Sequence, residues 1–153
     1  MNTWLDRDVL GVIESAAVAG HLPVVVSFDI DGTLETGDPP GPLPLAVVRH
    51  AQARGYVVGS CSDRTVREQR EMWEDAGIVV DFAVVKNALA SVRERFPTAR
   101  LIHIGDSAVD EHYARIGGFE YVFVGTLPPD CPADGRVPWL DAFSAPLGNA
   151  RKR

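Results

Sequence analysis

The chain predicts an α/β fold in which a five-stranded parallel sheet lies between layers of helices. Three observations carry that prediction. Apolar runs of strand length recur along the sequence, they alternate with amphipathic segments of helix length, and glycine or proline separates most of the pairs. The runs are apolar almost throughout rather than alternating with polar residues. That is the pattern of strands covered on both faces, as in a parallel sheet. The length of 153 residues suits one domain with an ordinary core.

Taken in order, residues 3 to 19 read as an amphipathic helix, with Thr3 as its N-cap and Gly20 as its stop. Trp4, Leu5, Val9, Val12, Ile13, Ala16 and Ala17 would share one broad face. "VVVSFDI" (24 to 30) is the first parallel strand. "GDPPGPLP" (37 to 44) is a stiff loop, because proline and glycine punctuate it. A helix over 45 to 54 ends at Gly55, and "YVVGSC" (56 to 61) is the second strand. A helix over 63 to 76 ends at Gly77, "FAVV" (82 to 85) is the third strand, and a helix over 87 to 96 stops at Pro97. "RLIHIG" (100 to 105) is the fourth strand, a helix over 108 to 116 closes on Gly117 and Gly118, and "YVFVG" (121 to 125) is the fifth strand. Five prolines break up the C-terminal residues, so 126 to 148 is expected to be mostly irregular with one short turn near Trp139 and Leu140, and the final "RKR" to be a frayed end. The expected organisation is one domain over 1 to 153: an N-terminal helix over 1 to 20, a core over 24 to 125, and an irregular C-terminal segment over 126 to 153.

The net charge of −6 disfavours nonspecific binding to nucleic acid, whose phosphates attract basic surfaces. Cys61 and Cys131 lack metal-ligand spacing and are too few for a disulfide framework; Cys61, in an apolar run, reads as a buried free thiol. Asp6, Arg7, Asp8 and Glu14 interrupt the N-terminal apolar pattern, so no signal peptide is expected there, and no run reaches transmembrane length. The expectation is a cytoplasmic protein without membrane contact.

In open α/β sheets ligands bind beyond the carboxyl ends of the strands. The first strand ends in Asp29 and Asp31, the second in Ser60, Ser62 and Asp63, and the third in Lys86. The fourth ends in Gly105, Asp106 and Ser107, with Asp110 one helical turn beyond. Several carboxylates and one lysine thus converge on one edge of the sheet. Buried charges need partners, and a divalent cation with a phosphate would satisfy this set.

"DIDGT" (29 to 33), Ser62 in "CSDR", Lys86, and "GDSAVD" (105 to 110) resemble the four motifs of the haloacid dehalogenase superfamily of phosphohydrolases, in order and at the matching strand ends. The resemblance spans 24 to about 125. It implies a Rossmann-like three-layer α/β/α sandwich with the first-motif strand at the centre. It implies that Asp29 is the nucleophile, attacking phosphorus to form an aspartyl-phosphate. Asp31 would be the general acid and base. Gly32 would permit the tight turn, and Thr33 would tie it together through its hydroxyl. Gly32, Thr33, Ser62, Arg64 and Lys86 would surround the phosphate, with Lys86 also holding Asp29 ionised. Mg²⁺ would be held by Asp29, Asp106 and the backbone carbonyl of Asp31, with Asp110 supporting it directly or through water. The acid two residues after the nucleophile favours hydrolysis of a phosphate ester over the dehalogenase or P-type ATPase chemistries of similar proteins.

Members of this family often insert a cap that selects substrate. Neither the stretch from Asp31 to Ser62 nor that from Ser62 to Lys86 has room for one, so the site is expected to be capless and open. The implied partner is a phosphorylated substrate, a small molecule or a macromolecule end, with either a second copy of the chain or the 126 to 148 segment as a cover. "SDR" (62 to 64) resembles the "SGR" of capless polynucleotide 3′-phosphatases, with Asp63 a departure that adds negative charge. Two other readings stay open: a phosphatase of nucleic-acid ends, and a non-catalytic, partner-binding domain of the same fold. Ser60 rivals Ser62 for the second-motif role, and Ser62 is also a candidate N-cap. Arg67 and Arg70 read as a solvated face pairing with Glu71 and Glu74, His103 as a packed histidine, and Met72 and Trp73 as core.

Overall fold

A computed structural model describes residues 3–5, 22–128 and 136–144. Five parallel strands form as the alternation requires: β2 (Val24–Phe28), β3 (Val57–Ser62), β4 (Phe82–Val85), β5 (Arg100–Gly105) and β6 (Glu120–Phe123). The helices between them are α1 (Leu45–Ala53), α2 (Val66–Ala76), α3 (Leu89–Arg95) and α4 (Ala108–Gly117). A sixth strand, β1 (Thr3–Leu5), pairs antiparallel with β4, giving the order β1-β4-β3-β2-β5-β6.

The strand over Thr3–Leu5 corrects the start of the expected N-terminal helix. The edge of β4 presents unpaired backbone groups, and a Thr-Trp-Leu segment has the branched and aromatic composition that suits pairing with them. The remainder of that expected helix lies outside the described residues.

Strand alternation divides the core. Val24, Val26 and Phe28 face one side, where Val47, Val48 and Ala51 of α1 and Trp73 of α2 cover them. Val25 faces the other side, among Phe82, Val84, Leu89 and Val92, with Ala114 of α4. The result is three layers with apolar packing on both faces of the sheet, which is why the strands read as continuous apolar runs.

Helix boundaries shift from the expected ones where a cap decides them. α2 starts at Val66, because Thr65 accepts a hydrogen bond from Glu68 N while the Glu68 side chain bonds Thr65 N. Ser62 is therefore the last residue of β3 and not the cap. After β4 the chain makes a 3₁₀ turn over Lys86–Ala88 before α3 begins. Ser107 caps α4 by accepting from Asp110 N. β6 is shorter than expected, and Val124–Thr126 form a 3₁₀ turn.

The connection from β2 to β3 holds only the 30–44 loop and α1, and that from β3 to the Lys86 turn only α2 and β4; neither carries an inserted domain. The loop closes on its own backbone: Leu43 N donates to Thr33 O at 3.0 Å, Glu35 N to Leu43 O at 2.8 Å and Gly32 N to Pro39 O at 2.7 Å. In the C-terminal segment a short helix α5 (Pro138–Asp141) runs into a 3₁₀ turn over Ala142–Ser144. Asp141 pairs with His50 at 2.8 Å, Tyr56 OH donates to Leu140 O at 2.7 Å, and Arg100 stacks over Phe143. Tyr56 and Arg100 sit at the amino ends of β3 and β5. Residues 136–144 therefore pack at the far end of the sheet and do not cover the carboxyl ends of the strands.

One buried polar contact anchors α2 to the sheet. Gln69, fully buried, donates to Val84 O at 2.9 Å and to Arg64 O at 3.0 Å, and accepts from Ser60 Oγ at 2.7 Å. Replacement by leucine keeps the volume but removes three hydrogen bonds from buried polar groups. Gln69→Leu is expected to lower stability by about 1–3 kcal/mol in urea unfolding; an unchanged midpoint and slope would show that the anchor carries no weight.

Candidate active site

The connections after β2 run to one side of the sheet through β3 and β4, then return to the other side at β5. The order reverses between β2 and β5, and the crevice beyond their carboxyl ends is where such sheets bind ligands. Asp29 follows β2 directly and continues its ladder, donating from its N–H to Ile104 O at 2.9 Å. By alternation its side chain shares the face of Val25 and Ser27, the face that α3 and α4 cover. Asp106 follows β5, and Asp110 reaches back from the first turn of α4.

Oxygens of Asp29, Asp106 and Asp110 lie within 4.8 Å of one another. Asp29 and Asp110 are buried and Asp106 is exposed. Lys86 enters from the turn after β4, with Nζ 3.9 Å from Asp29 Oδ1, 3.5 Å from Asp110 Oδ1 and 3.4 Å from the exposed Asp63. Were Asp29, Asp106 and Asp110 all ionised, three carboxylates against one ammonium would leave two negative charges in the cluster. An all-oxygen donor set with that deficit fits a hard divalent cation such as Mg²⁺ or Ca²⁺.

Gly32 makes the approach of β5 to this turn feasible. Its φ of +79° lies in the left-handed region, and a Cβ there would stand 2.0 Å from Asp106 Oδ2. The turn is closed by backbone bonds from Thr33 N and Leu34 N to Ile30 O at 3.1 and 2.9 Å. The Thr33 hydroxyl instead donates to Asp29 Oδ2 at 3.2 Å, a contact with the expected nucleophile and not with the turn.

The Ser60 and Ser62 alternatives separate by partner. Ser60 Oγ lies under α2, donating to Gln69 and accepting from Trp73 Nε1 at 2.9 Å. Ser62, at the end of β3, accepts from Arg64 N at 3.1 Å, which leaves its own hydrogen free to donate.

Asp31 is not one of the three clustered carboxylates and has partners of its own. Arg64 grips it with Nη2 2.6 Å from Oδ1 and Nε 3.3 Å from Oδ2, and Asp38 N donates to Oδ1 at 2.8 Å. Partial burial pushes its pKa up, but the Arg64 hydrogen bonds, the Asp38 N–H and the Arg64 charge outweigh that and hold the carboxyl below its ordinary value. Arg64, expected beside a phosphate, pairs with the expected acid. Arg67 pairs with Glu71 at 3.0 Å on an exposed face, as its spacing suggested.

Of the three clustered acids, Asp110 is the most heavily bonded. Oδ1 accepts from His103 Nε2 at 2.9 Å; Oδ2 accepts from Ser107 Oγ at 2.9 Å and from Asp106 N at 3.3 Å. Burial would raise its pKa, but the bond from His103, the Lys86 charge and the Ser107 hydroxyl bring it below the ordinary value. Sequence reasoning misses the His103 contact; its one signal is a polar ring inside the otherwise apolar centre of "RLIHIG".

No protein-family model matches the chain, and no curated protein matches it significantly. Among the described residues no helix is long and apolar enough to cross a membrane.

Asp29 gives the site a pH signature. Burial, then the neighbouring Asp110 charge, push its pKa up to about 8 against the pull of Lys86. The folded protein therefore keeps a proton that the unfolded chain releases above about pH 4. The stability this confers is complete below the ordinary carboxylate pKa and is lost as pH rises through that of folded Asp29. Without added metal, the melting temperature is expected to fall between about pH 4 and about pH 8. Excess Mg²⁺ should flatten that slope, because it favours ionised Asp29. A metal-free melting temperature that is level or rising over the same interval contradicts this assignment.

Proposed function

We propose that the protein is a Mg²⁺-dependent phosphatase of the haloacid dehalogenase type, hydrolysing a phosphate monoester through an aspartyl-phosphate on Asp29. The observation that carries the reading is the placement of one buried carboxylate, Asp29, beside Lys86 and two further acids at the reversal point of the sheet. A core site of buried like charges is costly unless something neutralises it, and a cation with a phosphoryl group would.

Asp29 is built to attack. Thr33 donates to Oδ2, which orients the carboxylate, and Lys86 faces Oδ1. An Asp29 oxygen would form the new bond to phosphorus as the ester oxygen leaves. Asp31 would give that oxygen its proton and then take one from the water that cleaves the acyl-phosphate. Lys86 and the Ser62 hydroxyl would steady the phosphoryl oxygens as charge develops on them. Mg²⁺, held by Asp29, Asp106 and the Asp31 backbone carbonyl with Asp110 in support, would offset phosphoryl charge and keep Asp29 ionised.

The Asp31–Arg64 pair sets a condition on this scheme. An acid gripped by arginine is held ionised, so Arg64 must let go before Asp31 can donate. An arginine that swings from Asp31 to the substrate phosphate would do both jobs. The open cleft beside the site, of about 640 Å³ and lined by Asp106, Glu111, Tyr121 and Phe123 among others, leaves space for the leaving group.

Turnover of p-nitrophenyl phosphate with and without Mg²⁺ tests the reading; no hydrolysis under any metal condition would sink it. Asp29→Asn is expected to lower kcat by on the order of 10³-fold or more, and substantial residual activity would refute the nucleophile. In Arg64→Ala, Asp31 loses the partner that lowers its pKa and keeps its proton to higher pH. The alkaline limb of kcat/KM should therefore move upward. A limb that stays put or moves down would exclude Asp31 as the acid.

A further inference from the structure

We infer that Ser27 and His103 are positioning residues for the metal-binding edge, acting through Asp110. The inference rests on the phosphatase reading for the identity of the site, and it assigns work to two residues that reading leaves idle. Ser27 and His103 stand directly opposite each other in the β2–β5 register. Ser27 Oγ lies 2.9 Å from His103 Nδ1, and His103 Nε2 lies 2.9 Å from Asp110 Oδ1. All three are within 1% of complete burial.

The chemistry fixes the direction of this chain. An ionised carboxylate only accepts, so Nε2 carries the hydrogen that faces Asp110, and Nδ1 is left to Ser27. The surrounding positions of that face hold Val25, Val57 and Leu101. A polar pair among such residues is costly unless every group is bonded, and here each finds a partner. Sheet packing alone would be served by an apolar pair.

What the chain holds is a hub. One Asp110 oxygen is shared by His103 and Lys86, while the other takes the Ser107 hydroxyl and the Asp106 N–H. Asp110 thereby ties the phosphate-facing lysine to the backbone of the exposed metal-facing acid. Its oxygens are occupied from inside the protein, so it works as a bracket for Asp106 and Lys86. Gly105 lets it come this close: a Cβ there would meet Asp110 Cγ at 2.4 Å. Without the imidazole, Asp110 can turn, and Asp106 and Lys86 lose their common reference. Removal of such an outer partner typically costs 10–100-fold in metal affinity.

Mn²⁺ binding followed by electron paramagnetic resonance tests this without requiring turnover. His103→Leu should weaken Mn²⁺ about 10–100-fold. His103→Gln, whose amide can still donate to Asp110, should bind within a few-fold of wild type. A His103→Leu protein with native circular dichroism and unchanged Mn²⁺ affinity would overturn the inference, since loss of packing alone lowers the melting temperature but leaves the edge in place. Should that variant fail to fold, Ser27→Ala decides: a several-fold weaker Mn²⁺ affinity supports the chain, and an unchanged one refutes it. Wild-type protein that binds Mn²⁺ but hydrolyses nothing would refute only the phosphatase reading. Wild-type protein that binds no Mn²⁺ would overturn the metal site and this inference together.

Discussion

The site turns on one buried ammonium. Lys86 Nζ stands 3.4 to 3.9 Å from the carboxylates of Asp63, Asp110 and Asp29, and its side chain is 9% exposed. Burial alone would favour the neutral amine, yet the charges of Asp29, Asp110 and Asp63 outweigh that and raise its pKa. The lysine thus lets two buried acids sit close by screening their repulsion, and it does so incompletely. The remaining negative charge makes the crevice receptive to a cation, and Asp29 reluctant to ionise until one arrives. The close packing of the acids around Lys86 and the raised pKa of Asp29 come from the same imbalance.

That imbalance is positioned by the sheet. Parallel strands bring their carboxyl ends to one edge, and the reversal of order between β2 and β5 opens a crevice there. Lys86 comes from the far side of β3, on a turn that begins as β4 ends. Glycines at 32 and 105 remove the side-chain atoms that would keep Asp106 and Asp110 away from their neighbours. Three of the acids are then oriented by different devices: Asp29 by a threonine hydroxyl, Asp31 by an arginine fork, and Asp110 by an imidazole, a hydroxyl and a backbone N–H.

Much of this arrangement is legible in the sequence because it depends on local pattern. Apolar runs mark the five parallel strands, and the polar residues that end them mark the crevice. The features that escape such a reading depend on distance in space. The pairing of Thr3–Leu5 with β4 lies across the sheet edge, where no local periodicity announces it. The grip of Arg64 on Asp31 joins residues from the ends of two strands, and nothing in "SDR" says that the arginine turns toward its own protein. Thr33 reads in sequence as closing its turn, whereas backbone bonds close it and free the hydroxyl for Asp29. Ser27 and His103 each stand alone in a strand, so neither signals a partner; only the register shows that they face each other.

The proposed mechanism requires Asp29 to make a covalent bond to phosphorus. The direct measurement is to quench the protein in acid during turnover of a phosphate ester, reduce with borohydride and map the peptides by mass spectrometry. Reduction of an acyl-phosphate converts the aspartate that carried it to homoserine. Homoserine is expected at position 29, dependent on both substrate and Mg²⁺. Homoserine at another acid, or an unmodified protein caught while it is demonstrably turning over, would contradict the claim.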